Sequence, residues 1–441
     1  MKCLPFAFAV ALGAASAPAQ PERAPTALAL RDVRVVDVEA GAASLPTTLR
    51  VSGGRIVSIG GPGDAGPQDR EVKAGGLFAV PGLFDMHVHL SYTRESALPA
   101  LVANGVLTVR DLGGRLSEID AWRGAIESGS RTGPRIFRSG PAVNGQHNGW
   151  HHLAVANETE ARVAVRALKN VGVDFIKVHN ALGREALAAV VDEARRQGLT
   201  VVGHIPKAVT PDEALEMGMG EIEHTETFFE GPFSAGMTPL GLLAGVRAFV
   251  EDGRAAALAR KLAAQQVPVA PNLVAYRARF TDAPEEQRAY LAASTRKELR
   301  RAFTAEQKEG LGRMLAAFQE VIGVFRREGV VLLASTDIAA GGHAPGFSLH
   351  DELDLLVGSG LSPAEALRAA TVAPARFLGL GDTRGVLRPG ADADFLLVEG
   401  DPLRDIKALR LIRGIVLRGR YIDRATLDAW LRQAREEAAR N

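Results

Sequence analysis

The chain has 441 residues, 46% of them hydrophobic, and a formal net charge of +1. That length allows about three domains, or one large barrel with a smaller companion. The near balance of acids and bases argues against a nucleic-acid surface, the apolar content argues against disorder, and a single cysteine, Cys3, excludes a disulfide framework.

Residues 1–19 read as a cleaved signal peptide: a lysine, a short apolar run, then Ala15-Ser16-Ala17 or Ala17-Pro18-Ala19. The run is too short to span a bilayer. A buried N-terminal helix is the other reading. Cys3 precedes the apolar run, which argues against a lipid anchor. The expected mature protein is secreted or periplasmic, free of thiols, and without membrane contact after cleavage.

Residues 20–80 alternate apolar and polar positions in "ALALRDVRVVDVEAG" and "TLRVSGGRIVSIGG", where Gly53-Gly54 suits a tight hairpin. Residues 383–441 repeat the pattern in "ADFLLVEG" and "LRLIRGIVLRGRYI", followed by a C-terminal helix. Isolated hairpins are marginal in water. Both chain ends are therefore expected to pair into one small discontinuous β-sandwich.

Residues 81–382 alternate strand and helix signals. The candidate strands are "FDMHVH", "GVLTVRDL", "RIFRSG", "DFIKVH", "TVVGHI", "GEIEHTE", "VPVAPNLV" and "VVLLAST". Amphipathic stretches such as "TEARVAVRALKNVG" and "REALAAVVDEARRQG" separate them, and "SPAEALRAAT" carries a capping box from Ser362 to Glu365. Eight such repeats predict an α/β protein with a (β/α)8 TIM barrel. A doubly wound open sheet ranks lower, because no Gly-rich phosphate loop follows the first strand.

A barrel of this kind works at the carboxyl ends of its strands, and the polar oddities fall there. His87 and His89 close the first strand, Lys177 and His179 the fourth, His204 the fifth, His224 the sixth and Asp337 the eighth. Residues two apart share a face, so His87 and His89 form a pincer for one cation. Any one of these histidines alone reads as a hydrogen-bonded or surface residue. Together, imidazoles and a carboxylate suit zinc and similar metals. Lys177 lies in a run that should be buried, where desolvation and nearby cations depress an amine. A neutral amine reacts with carbon dioxide to give a carbamate, whose two oxygens can bridge two metals. An ion pair, a snorkelling side chain or a Schiff-base lysine are the other readings, and the surrounding histidines argue against the last.

These strand ends, in order "PGLFDMHVH", "FIKVH", "VVGHI", "EIEHT" and "LLASTD", resemble those of the metal-dependent amidohydrolase superfamily. The tail from "SLHDELDLLVGSGLSPAEALRAATVAPARFLGL" to "GVLRPGADADFLLVEGDPL" is similar as well, so the likeness covers nearly the whole mature chain. It is greatest to the imidazolonepropionase-like branch that includes Xaa-Pro dipeptidases (prolidases). Lys177 points to the two-metal dipeptidase or amidase side of that branch. The resemblance implies that His87, His89 and Asp337 hold one metal and that His204 and His224 hold the other. N6-carboxylated Lys177, with a hydroxide, bridges the two ions, Zn2+ being the expected metal. Asp337 is then the catalytic proton shuttle. The implied activity is hydrolysis of an amide or peptide bond in a small dipeptide or N-acyl amino acid. A cyclic amide or an ester is the alternative substrate, and a solute-binding barrel with a lapsed site is the alternative outside the enzymes. Retention of all six candidate ligands argues against the last. Enzymes of this type commonly assemble, so a homo-oligomer is expected.

Substrate contacts are sought in loops. "NGQHNGWHH" offers His147, His151 and His152, and Tyr276, Arg277 and Arg279 offer an aromatic wall or a carboxylate clamp. His147, His151 and Tyr276 are the candidates taken forward. Residues 225–266 and 272–329 are longer than ordinary connections, and the second is expected to form a lid. His179 is a candidate neighbour of the ligands, and His350, at a helix start, reads as structural. Many dipeptidases of the branch carry a tyrosine or histidine just after the fifth-strand histidine. Here the chain reads "GHIPKAV", which puts dipeptide specificity in doubt.

Overall fold

The computed structural model describes residues 27–61, 65–146, 151–292, 303–338 and 342–440. The expected signal peptide, residues 1–19, and His147 lie outside the described residues.

The first strand, Leu28–Asp37, pairs antiparallel with Thr47–Ser52. After a register shift between Leu30 and Val33 it pairs parallel with Phe78–Pro81. Thr47–Ser52 returns into Arg55–Gly60 through Gly53 and Gly54, whose φ angles of 59° and 77° are open to glycine at little cost. The C-terminal strands Phe395–Val398, Ile412–Leu417 and Arg420–Asp423 join the same sheet, with Val80 opposite Leu396 and Leu396 opposite Ile415. Both chain ends thus build one nine-stranded sheet. Leu30, Val33, Leu49 and Ile56 from its N-terminal part meet Ala79, Phe395, Leu397 and Val416 in one buried cluster. The alternate residues Val80, Leu396 and Val398 join the main core instead, as the two-residue period requires.

Seven of the eight expected parallel strands occur where the sequence placed them. Leu83–Val88, Val106–Asp111 and Arg135–Arg138 form a three-stranded sheet. Phe175–Val178, Thr200–Gly203, Glu221–Glu223 and Val269–Ala270 follow one another in a six-stranded sheet, with Ala142–Asn144 and His152–Ala154 at its edge. The break between the sheets falls at Ser139–Pro141, where Gly140 has a φ of 67° and a proline offers no N–H. The eighth expected strand makes only isolated parallel bridges, Leu332 to Val269 and Ile338 to Val88. Its ladder is interrupted because Asp85 takes the Thr336 N–H at 3.0 Å and its hydroxyl at 2.6 Å. The Ala334 N–H likewise turns to the Ala369 carbonyl at 2.8 Å.

The helices Glu158–Asn170 and Arg184–Arg196 bury Val165, Leu168, Leu187 and Val190, and Pro363–Ala369 starts with the expected capping box. The long connections are helical too. Residues 225–266 contain Pro239–Glu251 and Arg254–Ala264. Residues 272–329 contain Leu273–Ala278, Glu285–Arg288 and Ala305–Arg327. The stretch expected to form a lid thus includes the last of these helices, which buries Phe318, Val321, Ile322 and Phe325 in the main core as a structural member. Among the described residues no helix is long and apolar enough to cross a membrane.

Candidate metal centre

The candidate ligands converge where the strands end. His87 Nε2 lies 3.2 Å from His89 Nε2, and Asp337 Oδ1 lies 2.9 Å from His89 Nε2 and 3.5 Å from His87 Nε2. The turn after His89 is held by the Leu90 N–H donating to Asp111 Oδ2 at 2.7 Å. The His204 and His224 rings stand 4.5 Å apart, and the His224 ring stands 5.1 Å from that of His87. Ligand-type atoms of His87, His224 and Asp337 lie within 4.8 Å of one another, as do those of His204, Glu223 and His224. Buried Nδ1 atoms of His204 and His224 have no hydrogen-bond partner among the described residues. Imidazole nitrogens left without partners beside a carboxylate fit a divalent cation of the zinc type.

Electrostatics agree with that fit. Burial lowers His87 and His204 well below the ordinary imidazole range and His224 to about 3, so these rings are neutral donors. Burial acts to raise the Asp337 carboxyl, but the His89 hydrogen bond and nearby His224 hold it at about 2. Lys177 is 1% exposed, and burial brings its amine down to about 7 against the pull of Glu221 and Asp337. Its Nζ pairs with Glu223. Gly203 makes room for it: a Cβ there would meet Lys177 Cδ at 2.9 Å. His224, Asn272 and Asp337 hold φ angles of 64°, 51° and 55°, a sparsely populated region for such residues that is frequent at functional sites.

Above the centre lies a cavity of about 130 Å³ whose wall includes His151, His179, Asn180, Glu230 and Arg279. His151 stacks on Tyr92 at 5.2 Å, and the rings of His152, His179 and His204 follow one another at 4.8 and 4.2 Å. Burial, aided by nearby Lys177, lowers His179 to about 2. Tyr276 does not reach this wall. It packs on Phe318 and lies 5.0 Å below the Arg279 guanidinium, which pairs with Glu226. His350 donates to, or accepts from, nothing in the cavity; its Nε2 meets the Asn104 carbonyl at 2.9 Å.

Sequence reasoning missed four buried residues around the centre: Asp85, Arg110, Glu223 and Asn272. Asn272 places Nδ2 2.9 Å from His87 Nδ1, and Glu223 Oε2 stands 3.1 Å from the same nitrogen. The signal was present in "GEIEHTE" and "VLTVRDL", where charged residues interrupt strands that should be buried.

Residues 78–421 match the amidohydrolase family. The chain belongs to that family. Membership places this amidohydrolase among hydrolases of amide and related carbon–nitrogen bonds. It is 26% identical over 387 residues to an adenine deaminase of Deinococcus deserti, covering 84% of this chain but only 56% of that protein. It is 26% identical to an imidazolonepropionase of Rubrobacter xylanophilus, over 82% of this chain and 86% of the relative. Among solved structures, a putative prolidase from Bifidobacterium longum superposes with a TM-score of 0.69 at 25% identity, covering 93% of this chain and 99% of its own.

Proposed function

We propose that this amidohydrolase cleaves the amide or peptide bond of a small dipeptide or N-acyl amino acid, using two divalent ions, zinc foremost. The observation that carries this reading is the approach of His87, His89 and Asp337 to within 3.5 Å beside a buried lysine. His87, His89 and Asp337 would hold one ion and His204 and His224 the other, with carboxylated Lys177 between them. When bound, such a pair polarises the scissile carbonyl and makes water acidic enough to attack at neutral pH.

The chain's own side chains do the rest. Asp337 is ionised across the working range, so it starts as a base, takes the proton of the attacking water and returns it to the departing amine. The histidines stay neutral and keep their lone pairs available. His151 and Arg279 would meet the ends of the substrate, and a cavity of about 130 Å³ supports a small one. Ile205-Pro206-Lys207 stands where many dipeptidases of the resembling branch carry a substrate-holding residue, which supports a cyclic amide or an ester as the second reading.

The same reading takes residues 81–382 as a closed eight-stranded barrel and residues 20–80 with 383–441 as one sandwich domain, exported behind the leader at 1–19. The bridges at Leu332 and Ile338 support the first point, because they set the eighth segment between its two neighbours.

Metal analysis of purified protein, beside a panel of dipeptides, N-acyl amino acids and lactams, tests the function. Two ions per chain and hydrolysis that stops on chelation are expected. Lys177→Ala should reduce turnover to background, with partial rescue by a short carboxylic acid. Full turnover in metal-free protein, or in that variant, would end the two-metal scheme.

A further inference from the structure

Beneath the centre lies a second layer of charge. Arg110 is fully buried beside the stacked rings of Phe175 and Phe377, each centred 5.4 Å from its guanidinium carbon. Its Nε donates to the Met86 carbonyl at 2.7 Å. Its Nη2 donates to Glu221 Oε1 at 2.9 Å and to Glu223 Oε1 at 3.0 Å. The other oxygen of Glu223 faces the proposed ligands: Oε2 contacts Lys177 Nζ and lies 3.1 Å from His87 Nδ1. One carboxylate is thus clamped from below and touches two of them above.

Both neighbours need what that oxygen offers. His87 turns Nε2 toward His89 and Asp337, so its proton belongs on Nδ1 and requires an acceptor. Glu223 Oε2, a carboxylate oxygen 3.1 Å from Nδ1, accepts it. Lys177 has the same need after carboxylation. The neutral amine attacks carbon dioxide, a nitrogen–carbon bond forms, one N–H proton leaves to solvent, and one N–H remains. Conjugation holds that N–H in the plane of the carbamate. An acceptor for it therefore fixes the directions of both carbamate oxygens.

We propose that Glu223, clamped by Arg110, is the positioning residue of the centre. It sets the tautomer of His87 and the plane of the Lys177 carbamate through one shared oxygen. The proposal rests on the two-metal reading above. Glutamine at 223 keeps the shape of the side chain but cannot serve Arg110 and both donors at once.

The test uses full-length protein stripped with a chelator, then titrated with Zn2+ in bicarbonate against a chromophoric competitor. Glu223→Gln should weaken zinc binding about 10- to 100-fold, the usual cost of losing a partner that orients a ligand. The carbamate signal from 13C-bicarbonate should be lost or shifted. Thermal unfolding of the metal-free variant should stay near that of the wild type, which separates positioning from general damage. Wild-type zinc affinity with an unchanged carbamate signal would overturn the proposal. If the glutamine variant does not fold, Arg110→Lys keeps the charge and removes the fork, and weaker zinc binding is again expected. Wild-type affinity in that variant overturns the clamp. Wild-type protein that binds fewer than two ions per chain would instead sink the underlying reading, before any variant is made.

Discussion

Two cavities lie at opposite ends of the parallel strands, and the smaller one gathers the buried ionisable groups. The cavity after the strand ends measures about 130 Å³, whereas the one at the strand starts measures about 570 Å³. The larger is walled by Val330, Leu332, Leu361 and Val372, with the Arg326–Glu365 ion pair at its rim. None of the charged side chains in its wall is buried. The smaller is walled by His87, Lys177, His224 and Asp337, all buried and all moved from their ordinary pKa by burial or neighbouring charge. Desolvated polar groups cost free energy that only paired partners or a ligand restores, so they mark chemistry where volume does not.

The sharpest way to break this contrast is Asp337→Asn. Removing the proton carrier should lower kcat by about 10²- to 10⁴-fold while part of the zinc stays bound, read from hydrolysis and metal content together. Wild-type turnover would leave the smaller cavity no more chemical than the larger. Leu361→Ala in the larger cavity should act the other way. It should cost about 2–5 kcal/mol of stability by urea unfolding, with turnover per folded molecule unchanged. A fall in turnover per folded molecule in this variant would erase the distinction.

The smallest expected effect concerns Glu352, which accepts from the N–H groups of Leu273 and Val274 at 3.2 and 2.7 Å beside Asn272. Burial raises its carboxyl from 4.5 to about 8. The folded protein therefore keeps a proton that the unfolded chain releases near pH 4.5. That stabilisation is complete at low pH and is lost as pH rises through about 8. Asp85, raised by burial to about 7, acts in the same direction. Glu352→Gln should flatten the fall in urea midpoint between pH 5 and pH 8. An unaltered slope would mean that this acid does not sense burial at all.

The strand-end histidines, Lys177 and Asp337 were legible because each breaks an apolar run at the position where a parallel strand must stop. His87 and His89 share a face by the two-residue period alone, and the structure brings their Nε2 atoms to 3.2 Å. The eighth strand was legible as a segment but not as irregular, because its interruption comes from Asp85, a residue distant in sequence. Glu223 was hidden by its neighbour: the eye takes His224 from "EIEHT" and reads the acids as strand padding. Within 272–329, the stretch expected to form a lid, the charged N-terminal turns of Ala305–Arg327 mask a C-terminal half that is buried in the core. Tyr276, taken forward as a substrate contact, packs instead on Phe318, a contact that local sequence does not reveal.

The pairing of the two chain ends has a consequence for biogenesis. Val80 lies opposite Leu396, so the edge of Phe78–Pro81 has no C-terminal partner until more than 300 further residues have left the ribosome. At ordinary elongation rates of about 5–20 residues per second, that delay is on the order of 15–60 seconds. Through that interval the nascent protein exposes an unsatisfied, aggregation-prone strand, and a holdase on the early chain is the natural remedy.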